Sequence, residues 1–275
     1  MIENFKEEFI CGIKFQTIAD VIIDINRFDD LSVLKDGSII WCKTDFIPEL
    51  FDKIKNNDNK YILISHCSDY EINEFKFINK PKCIYKWYAQ NVNYKHKDLV
   101  PLPIGIENDK GCNRGQNTDF EFIKDYIKPL SISNKIINKI YCNFNPITNI
   151  NRYDVIKILT ENGNGIFDRK NTYKEYCEEV KRFLFVASPK GNGIDCHRTW
   201  ETLYLGSIPI VERHFMYDTF KDLPIIQIDD WKYIDEFTIT ETIEKYKNGE
   251  CFSNIEKLTM PYWINVIINQ RDVLL

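Results

Sequence analysis

The feature that most constrains the fold is a series of short, continuous apolar runs bounded by turn residues. Up to residue 105, the runs GSIIWCKT, KYILISH, KCIYKWYAQ and LVPLPIG alternate with helix-like stretches such as DFIPELFDKIKNN and SDYEINEFKF. Apolar residues that follow one another without alternation indicate strands buried on both faces. The pattern therefore predicts an α/β fold, with a parallel sheet covered by helices.

A second series of the same kind follows a polar, turn-rich segment, ENDKGCNRGQNTD. It begins with KIYCNF, continues with a helix over about 152–160, and includes RFLFVAS and SIPIV. A connecting helix is expected in FEFIKDYIKPLS, where Pro129 would end it. We therefore predict two α/β domains, 1–120 and 121–250, followed by a C-terminal helix within 251–275.

Composition and charge exclude several classes of protein. The chain is 44% hydrophobic with a formal net charge of −5, which excludes a disordered chain and disfavours a nucleic-acid partner. No run approaches the roughly 18 apolar residues of a membrane span, and the N-terminus is acidic where a signal peptide is basic. The nine cysteines show no disulfide or zinc spacing. We expect a cytoplasmic protein without a membrane span.

The segment SPKGNGIDCHRTWETLYLGSIPIV, at 188–211, concentrates glycine, proline and charged residues between two predicted strands. The strand RFLFVAS leads into the loop PKGNG, and Asp195 is placed to cap a helix that ends at Gly206. On that helix the apolar residues share one face, while Arg198 and Glu201 lie on the other. We expect the first face to pack and the second to be open for binding.

A helix that begins behind a loop with Gly191 and Gly193 offers unpaired N–H groups and the positive end of its dipole to a phosphate. Lys190 and Arg198 would add charge-assisted contacts, and the Glu201 carboxylate suits the hydroxyls of ribose or a sugar. The segment therefore predicts a nucleotide-sugar site, although it matches neither the P-loop nor the dinucleotide fingerprint. A structural alternative stays open, in which the glycines permit a tight turn and Arg198 and Glu201 form a solvated ion pair.

Residues 183–211 resemble the donor-binding segment of exostosin-like glycosyltransferases. In that family a strand, an S-P-x-G loop and an R-x-x-E-x-L-x-x-G-x-x-P-[IV] helix and strand hold the nucleotide sugar, and the chain carries both motifs. The similarity is looser in SHCSDYE, WYAQN, PIGIEN and NFNPITNINR. It implies the GT-B fold, in which two Rossmann-like domains enclose a cleft. It also implies that a helix within 251–275 packs back on the N-terminal domain, although an edge helix of the second domain is an alternative.

The resemblance implies an activity and its ligands. The protein would transfer a sugar from a nucleotide sugar, with UDP favoured, to a glycan acceptor, and it would require no metal or other cofactor. Lys190 and Arg198 would contact the diphosphate and Glu201 the ribose or the transferred sugar. Asn192 and Asp195 would shape the loop.

Glycosyl transfer with inversion requires a base near the acceptor hydroxyl. His66 and Asp69 follow the strand KYILIS, at the edge where a parallel sheet presents its functional loops, and they are the candidates. Asp69 is also a natural cap for the helix YEINEFKF, and His66 could be a hydrogen-bonded histidine at a strand end. Glu107 in PIGIEN is the reserve candidate.

Two further sets of residues are predicted to bind substrate. Thr148, Asn149 and Arg152 lie between the strand KIYCNF and a helix, where another donor contact is expected, although Asn149 could simply cap the helix. Trp87 and Asn91, in KWYAQN, are candidates for an acceptor platform because sugars stack on aromatic rings. Core packing is the alternative for Trp87.

Two other functions are compatible with these features. A non-catalytic nucleotide- or glycan-binding protein would keep the donor site without a base. A nucleotide-sugar epimerase would release nucleotide and a sugar isomer without an acceptor. Release of nucleoside diphosphate only in the presence of an acceptor would distinguish the transferase from both.

Overall fold

The computed structural model describes residues 9–107, 134–234, 236–250 and 255–274, which form two compact units. The N-terminal unit comprises Ile10–Ile104, Gly193–Asp195 and Thr259–Leu275, and the central unit comprises Met1–Phe9, Gly105–Asn192 and Cys196–Leu258. After Ile10, the chain passes from the N-terminal unit to the central unit between Ile104 and Gly105. The predicted boundary at 120/121 and the helix predicted in FEFIKDYIKPLS lie outside the described residues.

The N-terminal unit contains eight described strands and two helices before residue 105: β1 Val21–Asp24, β2 Arg27–Phe28, β3 Ile39–Lys43, β4 Tyr61–His66, β5 Ile72–Asn73, β6 Ile84–Ala89, β7 Val92–Asn93, β8 Leu99–Pro101, α1 Ile47–Ile54 and α2 Glu74–Ile78. Its main sheet has the order β2-β1-β3-β4-β6-β8 and is parallel except for the β1–β2 pair. Strands β5 and β7 form a separate parallel pair.

Burial of the main sheet explains its apolar runs. Strand β4 is buried along its whole length, and Trp41 on β3 and Trp87 on β6 are fully buried. Parallel strands covered on both faces carry such continuous apolar sequences, so the predicted α/β fold is confirmed. The described strands β1, β3, β4, β6 and β8 follow one another in chain order without a reversal. The finer expectation of Rossmann-like domains in a GT-B arrangement stays a prediction.

The central unit has five described strands and four helices: β9 Ile136–Cys142, β10 Gly165–Phe167, β11 Phe183–Ala187, β12 Ile208–Glu212, β13 Ile226–Ile228, α3 Asn151–Glu161, α4 Tyr173–Arg182, α5 His197–Tyr204 and α6 Glu236–Lys247. The sheet is parallel throughout, with the order β10-β9-β11-β12-β13. The order reverses at β9, because β10 lies on one side of it and β11 on the other. In doubly wound sheets, ligands bind outside the carboxyl ends of the strands at such a reversal.

The core of the central unit holds the strands that frame this reversal. Ile140 and Cys142 on β9, Leu184 on β11, and Ile208 and Ile210 on β12 belong to one buried apolar cluster. Side chains packed this densely keep the strand ends in place. The loops that follow β9 and β11 are therefore held on a rigid base.

The last helix, α7 Met260–Leu274, is grouped with the N-terminal unit. It contacts the 3-10 helix Gly12–Ile18 and buries Met260, Trp263 and Ile267. No helix among the described residues is both long and apolar enough to cross a membrane.

Candidate functional site

Two loops lie at the carboxyl edge of the central sheet, at the point where the strand order reverses. Asn143 and Phe144 follow β9, and the loop 188–192 follows β11. The loop starts from a fixed point, because the Ser188 N–H donates to the Ile210 carbonyl at 2.8 Å. The predicted glycine loop thus lies where the topology of the sheet favours a ligand.

The carbonyl groups of this loop are held by two side chains from the start of α3. Arg152 is only 5% exposed, and its Nε and Nη2 donate to the carbonyls of Lys190 and Pro189 at 2.9 and 3.0 Å. Asn149 Nδ2 donates to the Gly191 carbonyl at 2.9 Å. Backbone carbonyls thus occupy part of the guanidinium of Arg152, and direct contact of Arg152 with the donor substrate stays a prediction.

Asn149 and Thr148 also have structural roles at this position. The Asn149 Oδ1 accepts the N–H of Asn151, the first residue of α3, at 3.1 Å, but the N-cap of the helix is Ile150 and carries no side-chain capping bond. Thr148 is half-buried and ends the 3-10 helix Pro146–Thr148. Direct contact of either residue with a donor substrate stays a prediction.

The two glycines of the motif are required by close packing. A Cβ on Gly191 would lie 3.0 Å from Arg152 Nη2, and a Cβ on Gly193, in the N-terminal unit, would lie 2.5 Å from Asn91 Nδ2. Neither glycine has a positive φ, so the turn itself does not demand them. Their small size allows side chains to reach the backbone.

Glu212, at the carboxyl end of β12, is a residue that the sequence analysis missed. Its Oε2 accepts the N–H of Lys190 at 3.0 Å, and its Oε1 accepts the Trp231 indole N–H at 2.9 Å. The N–H of Lys190 is therefore already bonded inside the protein. The sequence signal that could have identified Glu212 is its position directly after the apolar run SIPIV, at the end of a predicted parallel strand. The Lys190 side chain is exposed.

Arg198, on the first turn of α5, lies over the same crevice. Its Nε donates to the Asn143 carbonyl at 2.8 Å, and its guanidinium carbon lies 5.4 Å from the Phe144 ring centre. The Arg152 guanidinium lies 5.5 Å from the same ring. Burial, and then the charge of Arg198, lower the pKa of Arg152. Two guanidiniums therefore share one aromatic ring and repel each other.

These two guanidiniums have no acidic partner in the part of the chain that the structure describes, since none of its ion pairs includes Arg152 or Arg198. Within the same residues, Nη1 and Nη2 of Arg198 have no hydrogen-bond partner. A half-buried, planar group with open donors is suited to bind two oxygens of a phosphate at once. The crevice is therefore a candidate anion site.

The second polar residue of α5, Glu201, is buried rather than open to solvent. It is 5% exposed and the adjacent Thr202 is fully buried, so the prediction of an open helix face is wrong at these two positions, while Arg198 on the same face is half-buried. Glu201 forms no ion pair with Arg198, and the solvated-pair alternative is wrong as well. The carboxylate interacts with Tyr176 on α4, where burial and then Glu201 raise the pKa of the phenol. Tyr176 is therefore a neutral hydroxyl.

The Tyr176 hydroxyl is buried and has no hydrogen-bond partner in the described part of the chain. Buried polar groups are normally paired, and exceptions often mark functional positions. Nothing in the sequence identifies this tyrosine, which lies within an ordinary amphipathic helix. Glu201 and Tyr176 together offer an acceptor and a donor that a hydroxyl-bearing ligand could satisfy.

Asp195 does not cap α5 as predicted. The helix begins at His197 with Cys196 as its N-cap and no side-chain capping bond. The Asp195 carboxylate is buried in the N-terminal unit, where it accepts the Ile104 N–H at 2.8 Å. This bond satisfies the carboxylate, so the cap prediction is wrong. The predicted end of the helix is confirmed by Gly206, whose φ is 72°.

His66 has a structural environment in the N-terminal unit. It is 1% exposed, its Nδ1 accepts the Cys67 N–H at 2.9 Å, and its Nε2 lies 3.1 Å from the Pro103 carbonyl. With Nδ1 accepting, Nε2 must carry the proton and donate it to that carbonyl. Neither ring nitrogen can then take a proton from a substrate, so the catalytic prediction for His66 is wrong.

Asp69 keeps its place as the candidate base. The side chain is exposed between β4 and β5, and α2 is capped instead by Asn73, whose side chain accepts the Lys76 N–H at 3.1 Å. The capping alternative for Asp69 is therefore wrong, and its catalytic role stays a prediction. Glu107, half-buried in the central unit, stays the reserve candidate.

The predicted acceptor platform is buried. Trp87 has no exposed surface, its indole N–H donates to Ser65 Oγ at 2.8 Å, and the rings of Phe51 and Phe77 pack against it. A sugar cannot stack on it, so this prediction is wrong. Asn91 is also fully buried, and its Nδ2 donates to the Ser68 carbonyl at 3.2 Å. It holds the backbone of its unit rather than a ligand.

No group of His, Cys, Asp or Glu that could hold a metal ion occurs among the described residues, and a reaction without metal stays a prediction. No protein-family model matches the chain, and no curated protein is similar enough to count as a relative. The exostosin-like resemblance therefore depends on the motif at 183–211 and on the looser segments named with it.

Proposed function

We propose that the protein is a glycosyltransferase that binds the diphosphate of a nucleotide sugar at the reversal of the central sheet. The observation that carries this proposal is Arg198. Its guanidinium is half-buried over Phe144, its Nη groups have no partner in the described part of the chain, and no carboxylate there neutralises it. A cation in this state is stabilised by an anionic ligand.

The position of Arg198 supports a phosphate as the anion. It lies on the first turn of α5, whose N-terminus has no side-chain cap and carries the positive end of the helix dipole. The loop 188–192 leads into this turn from the carboxyl end of β11. Helix, loop and guanidinium therefore converge where doubly wound sheets bind phosphorylated ligands.

The buried Glu201 supports a ligand that carries hydroxyl groups as well as phosphate. Its carboxylate repels a phosphate, but it can accept hydrogen bonds from the hydroxyls of ribose or of a sugar. The resemblance to exostosin-like enzymes supplies the finer parts of the proposal: UDP as the nucleotide, a glycan as the acceptor, the GT-B fold, and Asp69 as the base. A non-catalytic nucleotide-binding protein would share the donor site and lack turnover.

Ligand-dependent stabilisation tests the donor site. We expect UDP, GDP or CMP, or one of their sugars, to raise the Tm of the wild-type protein, because a ligand at about 100 times its Kd stabilises a fold by roughly 2.7 kcal/mol. In Arg198→Ala the same ligand should bind about ten- to a hundredfold more weakly, since a charged hydrogen bond contributes about 1.5–3 kcal/mol.

Arg182→Ala is the matched control, because it removes the same charge from the same unit at the opposite edge of the sheet. Arg182 ends α4 directly before β11 and is paired with Glu179 at 2.6 Å. Its variant should keep the ligand response of the wild type. A wild-type protein that responds to none of these nucleotides, or an Arg198→Ala variant that responds like Arg182→Ala, would contradict the proposal.

A further inference from the structure

Arg152 joins the two loops that meet at the reversal of the central sheet. Its Nη1 donates to the Asn145 carbonyl after β9, at 3.1 Å, while Nε and Nη2 donate to the carbonyls of Lys190 and Pro189 after β11. Each nitrogen of the fork thus has a backbone partner. Arg152 therefore fixes the spacing of the two strand ends between which a ligand would lie.

These bonds also determine where the amide groups of the loop point. In a planar trans peptide the carbonyl of one residue points away from the N–H of the next. Arg152 holds the carbonyls of Pro189 and Lys190, and Asn149 holds that of Gly191. The N–H groups of the same three peptides must then face the opposite side. The first of them does so, because the Lys190 N–H reaches Glu212 Oε2 at 3.0 Å.

A neutral side chain could hold loop carbonyls equally well, as Asn149 shows at Gly191. Arg152 instead brings a charge into a position only 5% exposed, beside Arg198. Among the described residues no carboxylate forms an ion pair with it, and Glu212 acts on it only from beyond ion-pair distance. Burial of such a charge is unfavourable unless something offsets it. An anion in the adjacent crevice would offset it.

We propose that Arg152 is a positioning residue that orients the peptides of residues 189–191 for a diphosphate, while Arg198 makes the direct contact. The identity of the ligand in this inference rests on the proposed function. A lysine has one point charge and no planar fork, so it cannot serve three carbonyls in this geometry. Arg152→Lys thus keeps the charge and removes the orientation.

Hydrogen exchange of the ligand-free protein tests the inference without any nucleotide. We expect the amides of 190–192 to exchange about tenfold faster in Arg152→Lys than in the wild type, because opening of the loop becomes easier. Arg198→Lys is the matched control, since it makes the same change beside the same Phe144 ring and should exchange like the wild type. A loop in Arg152→Lys that exchanges at the wild-type rate would overturn the inference.

A second variant covers the case in which Arg152→Lys does not fold. Asn149→Ala removes only the bond to the Gly191 carbonyl and the bond at the start of α3. It should speed exchange at the peptide after Gly191 while the melting temperature confirms a folded protein. An unchanged exchange rate at the peptide after Gly191 would contradict the inference that these side chains orient the loop.

Binding of UDP and of inorganic pyrophosphate to the same variants separates this inference from the proposed function. We expect Arg152→Lys to weaken the binding of both ligands about tenfold at an unchanged melting temperature. A residue that only held the two loops together would not have this effect. Wild-type affinity in a variant whose loop exchanges faster would overturn the positioning role. A wild-type protein that binds neither ligand would overturn the proposed function and would leave Arg152 with a structural role only, in which it holds the two loops together.

Discussion

At the scale of single residues, the central unit holds another cation, which is half-buried, at the opposite edge of its sheet. Lys135, directly before β9, donates from Nζ to the carbonyls of Lys181 and Phe183 at 2.9 and 3.4 Å and to Ser207 Oγ at 2.9 Å. Burial, and then the charge of Lys181, lower the pKa of Lys135 to about 7. The side chain links the amino ends of three neighbouring strands.

This lowered pKa predicts a pH-dependent stability. Between about pH 7 and the ordinary lysine value of 10.5, the unfolded chain binds a proton that the folded protein has released. The contribution of Lys135 to the free energy of unfolding should therefore rise with pH in this window, by up to about 1.4 kcal/mol per pH unit. Buried thiols and phenols with raised pKa act in the opposite direction, so the test is a difference: in urea unfolding at several pH values, the stability of the wild type relative to Lys135→Met should rise with pH.

The control is Lys139→Met on the same strand, where the ammonium is exposed and donates to the Gly163 carbonyl. It should keep the wild-type dependence on pH. Parallel pH profiles for Lys135→Met and the wild type would contradict the half-buried, partly deprotonated lysine.

Residue roles at strand ends are what the sequence predicts least well. The sequence correctly predicts that His66, Trp87 and Arg152 lie at or near the carboxyl ends of strands. It does not show that His66 and Trp87 point into a core, because burial depends on elements distant in the chain. Arg152 illustrates the same limit: an irregular loop needs donors for its carbonyls, and only the structure shows that this arginine provides them.

At the scale of elements, α4 presents the tyrosine that interacts with Glu201, and its start is well defined. Thr172 and Glu175 form a capping box, in which the Thr172 hydroxyl accepts the Glu175 N–H at 3.2 Å and the Glu175 carboxylate accepts the Thr172 N–H at 3.1 Å. Thr172→Ala should lower the free energy of unfolding by about 1 kcal/mol, because it leaves N–H groups at the helix start unpaired. Chemical denaturation measures this loss.

Thr160→Ala in α3 is the matched control for the cap. The Thr160 hydroxyl donates to the Ile156 carbonyl within its own helix at 2.7 Å, an interaction that contributes little to helix stability. Its variant should change the free energy of unfolding by less than about 0.5 kcal/mol. Equal losses in the two variants would show that the capping box has no special role.

Elements formed by local sequence are predicted better than those fixed by long-range pairing. The runs KYILISH and RFLFVAS become β4 and β11, and the stretch DFIPELFDKIKNN contains α1. The stretch SDYEINEFKF instead divides into β5 and the short α2, because Ile72 pairs with Val92, twenty residues on. That pairing leaves Asn73 rather than Asp69 at the start of the helix.

At the scale of the whole molecule, the sequence predicts the fold class and not the topology. Apolar runs indicate parallel strands, but strand order depends on which strands pair, and the two sheets differ in this respect. The return of Gly193–Asp195 to the N-terminal unit is also invisible in the sequence, since it depends on contacts of Asn91 and Ile104 with Asp195. The reversal in the central sheet is therefore information that the structure adds to the motif.

The most direct test of a donor site at this reversal is a crystal structure of the protein with a bound nucleoside diphosphate. We predict phosphate oxygens at about 2.7–2.9 Å from Nη1 and Nη2 of Arg198 and a ligand hydroxyl on the Glu201 carboxylate. Arg152 should keep its bonds to the loop carbonyls. A diphosphate bound elsewhere, with no ligand atom within hydrogen-bonding distance of Arg198, would contradict the account.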